Sequence, residues 1–198
     1  MMSVTDDKIN EAIWIAKALF DRKMGTGTSG NISFVHDGRM YISGTGTCFG
    51  KLTENDFAEV SLSNGESIAG RPSKEVPLHL TVYRSKDCRA VIHIHSTYAV
   101  LWSCLRHENT TDCVPSYTPY LRMKAGSIGV VPYAPPGSAE LNSNLHSAVD
   151  KSDAWLLANH GMIVHGKTLM DAFAAAEELE ESCRIAWELR KCNDCVMI

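Results

Sequence analysis

The chain has 198 residues, of which 44% are hydrophobic and 21% charged, and its formal net charge at pH 7 is -4. This length suits one domain, and the composition is that of a globular protein, which excludes disordered and fibrous classes. The small acidic excess also excludes a strongly basic surface of the kind that binds nucleic acid or anionic lipid.

Nothing in the sequence suggests a membrane protein. No apolar run approaches the roughly 20 residues that a membrane helix needs. The polar first ten residues lack the basic and apolar regions of a signal peptide. We therefore expect a cytoplasmic protein with neither a membrane nor a nucleic acid as partner.

The first half of the chain begins with a helix and continues mainly in strands. Apolar residues recur every three or four positions from about Asp6 to Met24, which predicts a helix with one buried face. Short apolar runs between glycine-rich turns predict strands. These strands lie at Ile32–Val35, Met40–Ser43 and Phe57–Leu62, and a helix with Pro77 in its first turn follows and runs to about Ser85.

Helices and strands alternate in the second half. Strict alternation at Ala90–His95 predicts a strand. A long helix is expected from about Leu169 to Lys191, because apolar residues form a stripe at helical spacing and Thr168 with Asp171 fits a capping box. The elements between them are helices at Thr97–Leu105 and Ser138–Val149 and strands at Ile128–Pro132, Ala154–Ala158 and Met162–His165. This order predicts the α/β class with a mixed, largely antiparallel sheet, since several strands are joined by short turns.

Two histidines in the Ala90–His95 strand are the first candidate for chemistry. Side chains alternate between the faces of a strand, so His93 and His95 share one face, about 6.6–6.8 Å apart at the backbone. Their rings could bind one metal ion, or they could be two polar residues on a solvated face. His160, at a tight break between two apolar runs, would complete a three-histidine set, although a lone histidine in a turn is also common on a surface.

Glu75 is the second candidate, at the junction between a loop and a helix. A carboxylate is favoured at a helix N-terminus, which would explain it without any function. It could instead be a general acid or base beside a metal, or a fourth ligand. His79, one helical turn further on, could face the same site or be a buried residue.

Several loops offer hydroxyl and amide groups suited to a small phosphate. Gly25–Gly30 matches GxGxxG, but a helix precedes it and a strand follows, which is the reverse of a dinucleotide-binding unit. Thr45-Gly46-Thr47 and Ser73-Lys74 provide similar groups. Turn formation would explain any one of these loops alone.

Five short motifs together resemble the class II aldolase/adducin family over nearly the whole chain. They are Thr28-Ser-Gly-Asn31, Ser43-Gly-Thr-Gly46, Pro72-Ser-Lys-Glu75, His93-x-His95 and Asn159-His160-Gly161. Within the family, the sequence is most similar to the decarboxylases that act on 3-oxo-tetronate 4-phosphates. Lys74 departs from the fuculose-phosphate-type aldolases, which usually have a second serine there.

The resemblance implies a three-layer α/β/α fold, with residues 1–198 as one class II aldolase/adducin-type domain. It also implies a cyclic homotetramer with active sites at the subunit borders. By motif position, His93, His95 and His160 would bind zinc, and Glu75 would transfer protons and serve as a ligand when no substrate is bound. Manganese or cobalt could replace zinc, because imidazole binds several divalent metals.

The resemblance assigns the remaining site residues to substrate binding and protonation. Those expected to bind the phosphate end of the substrate are Asn31, Thr45, Gly46 and Ser73. Lys74 would either favour a carboxylate-bearing substrate through its charge or hold the phosphate. Tyr120 would donate a proton to the site of a neighbouring subunit, although a tyrosine packed in a loop is the simpler alternative.

The implied reaction is zinc-dependent decarboxylation of a 3-oxo-tetronate 4-phosphate to dihydroxyacetone phosphate and CO2 through a metal-stabilised enediolate. A sugar-phosphate aldolase of the fuculose-1-phosphate type, or a ribulose-5-phosphate 4-epimerase, is the alternative, since an aldol cleavage can reach the same enediolate. A third possibility is a non-enzymatic module like the adducin head. Such a module needs no set of metal-binding residues, so the three histidines and Glu75 count against it.

Overall fold

The structure is a computed structural model that describes residues 4–192 and 194–198. Within these residues lie six α-helices, eight β-strands and three single turns of 3-10 helix. The helices are α1 (Val4–Asp21), α2 (Val76–Ser85), α3 (Thr97–Ser103), α4 (Tyr120–Lys124), α5 (Ala139–Ala148) and α6 (Leu169–Leu189). The strands are β1 (Asn31–His36), β2 (Arg39–Ser43), β3 (Phe57–Ser61), β4 (Ser67–Ala69), β5 (Ala90–Ile94), β6 (Ile128–Val131), β7 (Ala154–Leu157) and β8 (Gly161–Gly166).

The eight strands form one sheet in the order β4-β3-β2-β1-β5-β8-β7-β6. Six of the seven neighbouring pairs are antiparallel, and β6 with β7 is the parallel pair. The prediction of a mixed, largely antiparallel sheet is therefore confirmed. β5, which carries the histidine motif, lies in the interior of the sheet between β1 and β8.

Helices cover both faces of the sheet, which confirms the three-layer α/β/α arrangement. Alternate residues of β5 point to opposite faces. Ile92 and Ile94 pack into a core with α1, α3, α4 and α6, whereas Val91 packs into a second core with α2 and α5. His93 shares a face with Val91 and therefore faces the α2 side.

Two short elements, β4 and α4, were not predicted, and the four helices α1, α3, α5 and α6 end one to three residues earlier than predicted. β4 consists of three exposed residues and α4 of five, so neither has an apolar period to detect. α1 ends at Asp21 rather than Met24. Lys23 adopts a left-handed backbone with φ 62°, and the amide of Met24 bonds to the carbonyl of Leu19, which closes the helix. α6 ends at Leu189, two residues before Lys191.

The long final helix begins where its capping residues predicted. Thr168 accepts a hydrogen bond from the amide of Asp171, and the Asp171 carboxylate accepts one from the amide of Thr168. Among the described helices, none is both long and apolar enough to cross a lipid bilayer.

Candidate metal centre

Strand register places the first two histidines beside a polar residue of the next strand. His93 lies near the end of β5, directly opposite Asn31 of β1, so both side chains face α2. His95 is the first residue after the end of β5, and its ring points to the same side as that of His93. The alternation predicted from the sequence thus places both rings on one face.

The turn between β7 and β8 brings His160 to these rings. Asn159 adopts a left-handed backbone with φ 56°, a conformation that asparagine tolerates better than most residues. Gly161 then packs directly against the end of β5. A Cβ atom at Gly161 would lie 2.3 Å from the carbonyl oxygen of Ile94 and 3.2 Å from the Cα of His95. Only glycine allows this close approach.

The three imidazoles form a nearly equilateral triangle. The ring centroids of His93 and His95 are 4.8 Å apart, those of His93 and His160 are 4.8 Å apart, and those of His95 and His160 are 4.6 Å apart. One nitrogen from each ring lies within 4.8 Å of the other two. Ligand atoms of a tetrahedral zinc ion lie about 3.4 Å apart, so the rings are spaced for one shared ion.

The hydrogen bonds and burial of the rings favour neutral imidazoles with lone pairs directed inward. The Nδ1 of His93 donates to the carbonyl of Met162 at 2.8 Å, which leaves its Nε2 unprotonated. That Nε2 lies 3.0 Å from the Nε2 of His95. Burial lowers the pKa of His93 and of His95 to about 4, and burial together with the neighbouring histidines lowers that of His160 to about 3.

Glu75 occupies the N-cap position of α2, where its side chain makes no hydrogen bond to the helix, and completes the cluster. Its Oε2 lies 3.4 Å from the Nε2 of His93, and its Oε1 lies 3.8 Å from the Nε2 of His160. Oε1 and both ring nitrogens of His160 are buried and have no hydrogen-bond partner. Buried polar atoms without partners are costly, and a divalent cation would satisfy Oε1 and one ring nitrogen of His160. The donor set of three imidazoles and a carboxylate therefore fits zinc.

The cluster lies at one end of a pocket of about 200 Å³. The pocket is lined by all five residues expected to bind the substrate, which are Asn31, Thr45, Gly46, Ser73 and Lys74. Pro136 also lines it but was not predicted, because it lies in a loop with no distinguishing pattern. The pocket's hydroxyl and amide groups, together with the lysine ammonium group, can bind an anion next to the metal cluster.

Tyr120 lies apart from this pocket within the chain. It is the first residue of α4, is 55% exposed, and does not line the pocket. α4 packs on the side of the sheet opposite α2, where Leu121 joins the core formed with α1, α3 and α6. The phenol of Tyr120 therefore does not reach the pocket of its own chain.

The chain matches known proteins over most of its length. A family model described as the class II aldolase and adducin N-terminal domain matches residues 10–187. A protein of Pectobacterium atrosepticum named 3-oxo-tetronate 4-phosphate decarboxylase is 42% identical over 182 residues, covering 90% of this chain and 83% of the relative. An L-fuculose phosphate aldolase of Methanococcus maripaludis is 37% identical over 174 residues, covering 87% of this chain and 92% of the relative.

A solved structure agrees with these sequence matches. The crystal structure of YgbL from Escherichia coli superimposes on this chain with a TM-score of 0.93 and 34% sequence identity. The match covers 99% of this chain and 95% of YgbL.

Proposed function

The chain belongs to the class II aldolase and adducin family, and we propose that it decarboxylates a 3-oxo-tetronate 4-phosphate. The observation that carries the proposal is the buried triangle of His93, His95 and His160 with Glu75, at the end of an anion-binding pocket. The relatives named 3-oxo-tetronate 4-phosphate decarboxylase, at 32–42% identity, support this substrate class.

The proposed reaction breaks the bond between the carboxylate carbon and the neighbouring hydroxyl-bearing carbon. The carboxylate leaves as CO2, and its bonding electrons form an enediolate with the adjacent ketone. One proton added to the hydroxyl-bearing carbon then yields dihydroxyacetone phosphate. A divalent ion held by the three histidines would supply Lewis-acid stabilisation of the developing negative charge.

Residues of the pocket would bind and orient the substrate. Ser73 and Asn31 present a hydroxyl and an amide beside Glu75, and the Lys74 ammonium group adds a positive charge. Thr45 and Gly46 line the same pocket on a tight turn, where backbone amides can bind phosphate oxygens. Binding the phosphate there would leave the carboxylate end of the substrate at the histidines.

Glu75 is the residue proposed to deliver the proton. Its Oε1 is buried and unpartnered, and it lies on the histidine side of the pocket, where the reacting carbon would be. A general acid or base needs only to come within hydrogen-bond reach of its proton. We further propose that the protein is a cytoplasmic homotetramer of one-domain subunits, in which Tyr120 of one subunit is the alternative proton donor at the site of the next.

An aldolase of the fuculose-phosphate type is the second candidate. The observation that favours it is the 37% identity to the Methanococcus maripaludis aldolase, close to the 42% found for the decarboxylase relative. The same pocket could bind a ketose 1-phosphate. An adducin-like interaction module is disfavoured, because a module without a metal would gain nothing from buried ring nitrogens and a buried carboxylate oxygen that lack hydrogen-bond partners.

A direct comparison of substrates tests the proposal. The zinc-loaded protein is incubated with both enantiomers of 3-oxo-tetronate 4-phosphate, and separately with L-fuculose 1-phosphate and L-ribulose 5-phosphate. We expect release of CO2 and dihydroxyacetone phosphate in equal amounts from one keto acid, and no release by His95→Ala. Efficient cleavage of the ketose phosphate without decarboxylation would replace the proposed function with the aldolase.

A further inference from the structure

Five polar side chains form one hydrogen-bonded chain beneath the candidate site. The hydroxyl of Tyr83 lies 2.7 Å from the Oγ of Ser33, which lies 2.7 Å from the Nδ1 of His79. The Nε2 of His79 contacts the Oδ1 of Asn31, whose Nδ2 lies 2.7 Å from the Oε2 of Glu75. The chain thus connects a tyrosine far down α2 to the carboxylate at its N-terminus.

The periodicities of a helix and a strand produce this arrangement. Glu75, His79 and Tyr83 are spaced by four residues and share one face of α2. Asn31 and Ser33 are spaced by two residues and share the face of β1 that α2 covers. Four residues of a helix rise about 6 Å, and two residues of a strand rise about 6.7 Å. Because these spacings are similar, the side chains of α2 and β1 alternate along the hydrogen-bonded chain.

The hydrogen-bonding groups of the five side chains determine which one donates and which one accepts at each step of this hydrogen-bonded chain. The Oε2 of Glu75 accepts a hydrogen bond in either protonation state when the transferred proton is held on Oε1, so Asn31 must present its amide N–H₂ group to Oε2 and its oxygen to His79. His79 then donates from Nε2 and accepts at Nδ1. Ser33 must therefore donate to His79 and accept from Tyr83. Every donor points toward Glu75.

We propose that His79 is a positioning residue, which as the Nε2–H tautomer orients Asn31 and through it fixes the Glu75 carboxylate with Oε1 free to face His160. The inference rests on the proposed function, because it gives the fixed carboxylate its proton-transfer role. With Oε2 tied to Asn31, Oε1 is the oxygen left to reach substrate or metal.

The surroundings of His79 support a role that acts through other residues. His79 is fully buried and does not line the pocket, so it cannot touch substrate. Burial, followed by the nearby His93, lowers its pKa to about 3, which keeps the ring neutral as the chain requires. Its two ring nitrogens are both engaged by hydrogen-bond partners, unlike those of His160.

The first test observes the tautomer directly, without any turnover. Long-range ¹H–¹⁵N spectra of ¹⁵N-histidine-labelled full-length protein, with and without zinc, are assigned by comparison with His79→Gln. We expect His79 as a neutral ring protonated at Nε2 in both samples. A ring protonated at Nδ1, or at both nitrogens, at pH 7 would overturn the proposal.

The second test separates positioning from substrate binding. Zinc-loaded protein is mixed with dihydroxyacetone phosphate in D2O, and loss of the hydroxymethyl proton signal reports enediolate formation. His79→Leu should lower the maximal exchange rate, measured at saturating substrate, about 10- to 100-fold, since small displacements of a reacting group have costs of this size, while zinc content stays unchanged. His79→Gln keeps a donor for Asn31 and should recover most of the rate.

The outcomes distinguish this inference from the proposed function. If wild type exchanges the proton and His79→Leu does so at the same rate, the positioning role is wrong and the function stands. Loss of zinc in His79→Leu, without recovery of the exchange rate in His79→Gln, would show a purely structural role and also overturn the inference. If wild type neither exchanges the proton nor decarboxylates the keto acid, the proposed function fails and this inference fails with it.

Discussion

His95 is the candidate ligand whose removal should disturb the protein least. It lies just beyond the end of β5 and is only partly buried, and its Nε2 faces another imidazole rather than a structural partner. We expect His95→Ala to lose bound zinc and turnover, while the free energy of unfolding of the metal-free protein changes by less than about 1 kcal/mol. Metal analysis and urea unfolding measure these two effects.

His146→Ala is the matched control for that experiment. His146 is exposed on α5, away from the pocket, and should keep both zinc and activity. Full zinc content in His95→Ala would contradict the assignment of His95 as a ligand.

Gly161 determines how closely the β7–β8 turn approaches β5. In Gly161→Ala the added Cβ would meet the Ile94 carbonyl at 2.3 Å, so β8 or the end of β5 must shift. We expect a loss of about 1–3 kcal/mol in unfolding free energy and weaker zinc binding, because His95 and His160 flank the clash. Gly25→Ala is the control, since its Cβ would have only an ordinary contact with Phe49 at 3.9 Å. Equal stability and zinc affinity in the two variants would refute this explanation.

At the scale of elements, α6 holds the start of α3 through one carboxylate. Glu180 accepts hydrogen bonds from the Ser96 hydroxyl at 2.6 Å and from the amides of Tyr98 and Ala99 at 2.9 Å. These groups immediately follow His95, so the same contact anchors the chain that carries a candidate ligand. The first amides of a helix have no partner within the helix, which makes such a cap valuable.

Removing this cap should cost measurable stability. We expect Glu180→Ala to lower the free energy of unfolding by about 1–3 kcal/mol, because charged hydrogen bonds to helix amides are lost. The neighbouring Glu181→Ala removes only an exposed pair with Arg184 and should cost about 0–1 kcal/mol. Urea unfolding of both variants gives the comparison, and similar losses would show that Glu180 is not a cap of special importance.

The elements that the sequence predicted are those with a strong period. β5 was predicted from strict alternation and α6 from its apolar stripe and capping box, and both occur with only small changes at their ends. The missed elements, β4 and α4, are too short to show a period. The end of α1 was misplaced because the left-handed turn at Lys23 uses a residue that does not favour it in sequence.

At the scale of the whole molecule, burial of a neutral histidine links stability to pH. Burial lowers the pKa of His79 from 6.5 to about 3, so as the pH falls the unfolded chain takes up the proton first. The stabilising contribution of this residue is therefore fully present above pH 6.5 and is lost as the pH falls toward 3. Each unit by which the pH falls between 6.5 and 3 removes about 1 kcal/mol of the contribution of His79 to the free energy of unfolding.

A comparison of two variants isolates this effect. In metal-free samples, wild type should be more stable than His79→Leu at pH 7, because leucine removes the hydrogen-bond partner of the Asn31 Oδ1 and of the Ser33 hydroxyl hydrogen. The difference should narrow by about 1 kcal/mol per pH unit below 6.5, as measured by urea unfolding. A difference that stays constant between pH 7 and pH 5 would show that His79 does not remain neutral when buried.

How the site is assembled could be predicted only in part from the sequence. Alternation along one strand placed His93 and His95 on one face, and the break at Asn159-His160-Gly161 marked the third ring. The hydrogen-bonded chain through Ser33 and Tyr83 could not be predicted from the sequence, because it depends on how α2 packs on β1. No local pattern specifies that packing. The position of Tyr120, away from the pocket of its own subunit, likewise depends on tertiary structure.

The central claim is that one divalent ion is shared by three imidazoles beside Glu75. Anomalous diffraction from crystals grown with zinc tests it most directly. We predict one peak per subunit, about 2.0–2.1 Å from a ring nitrogen of each of His93, His95 and His160. A zinc ion bound elsewhere, or no peak among these rings at saturating zinc, would contradict the account.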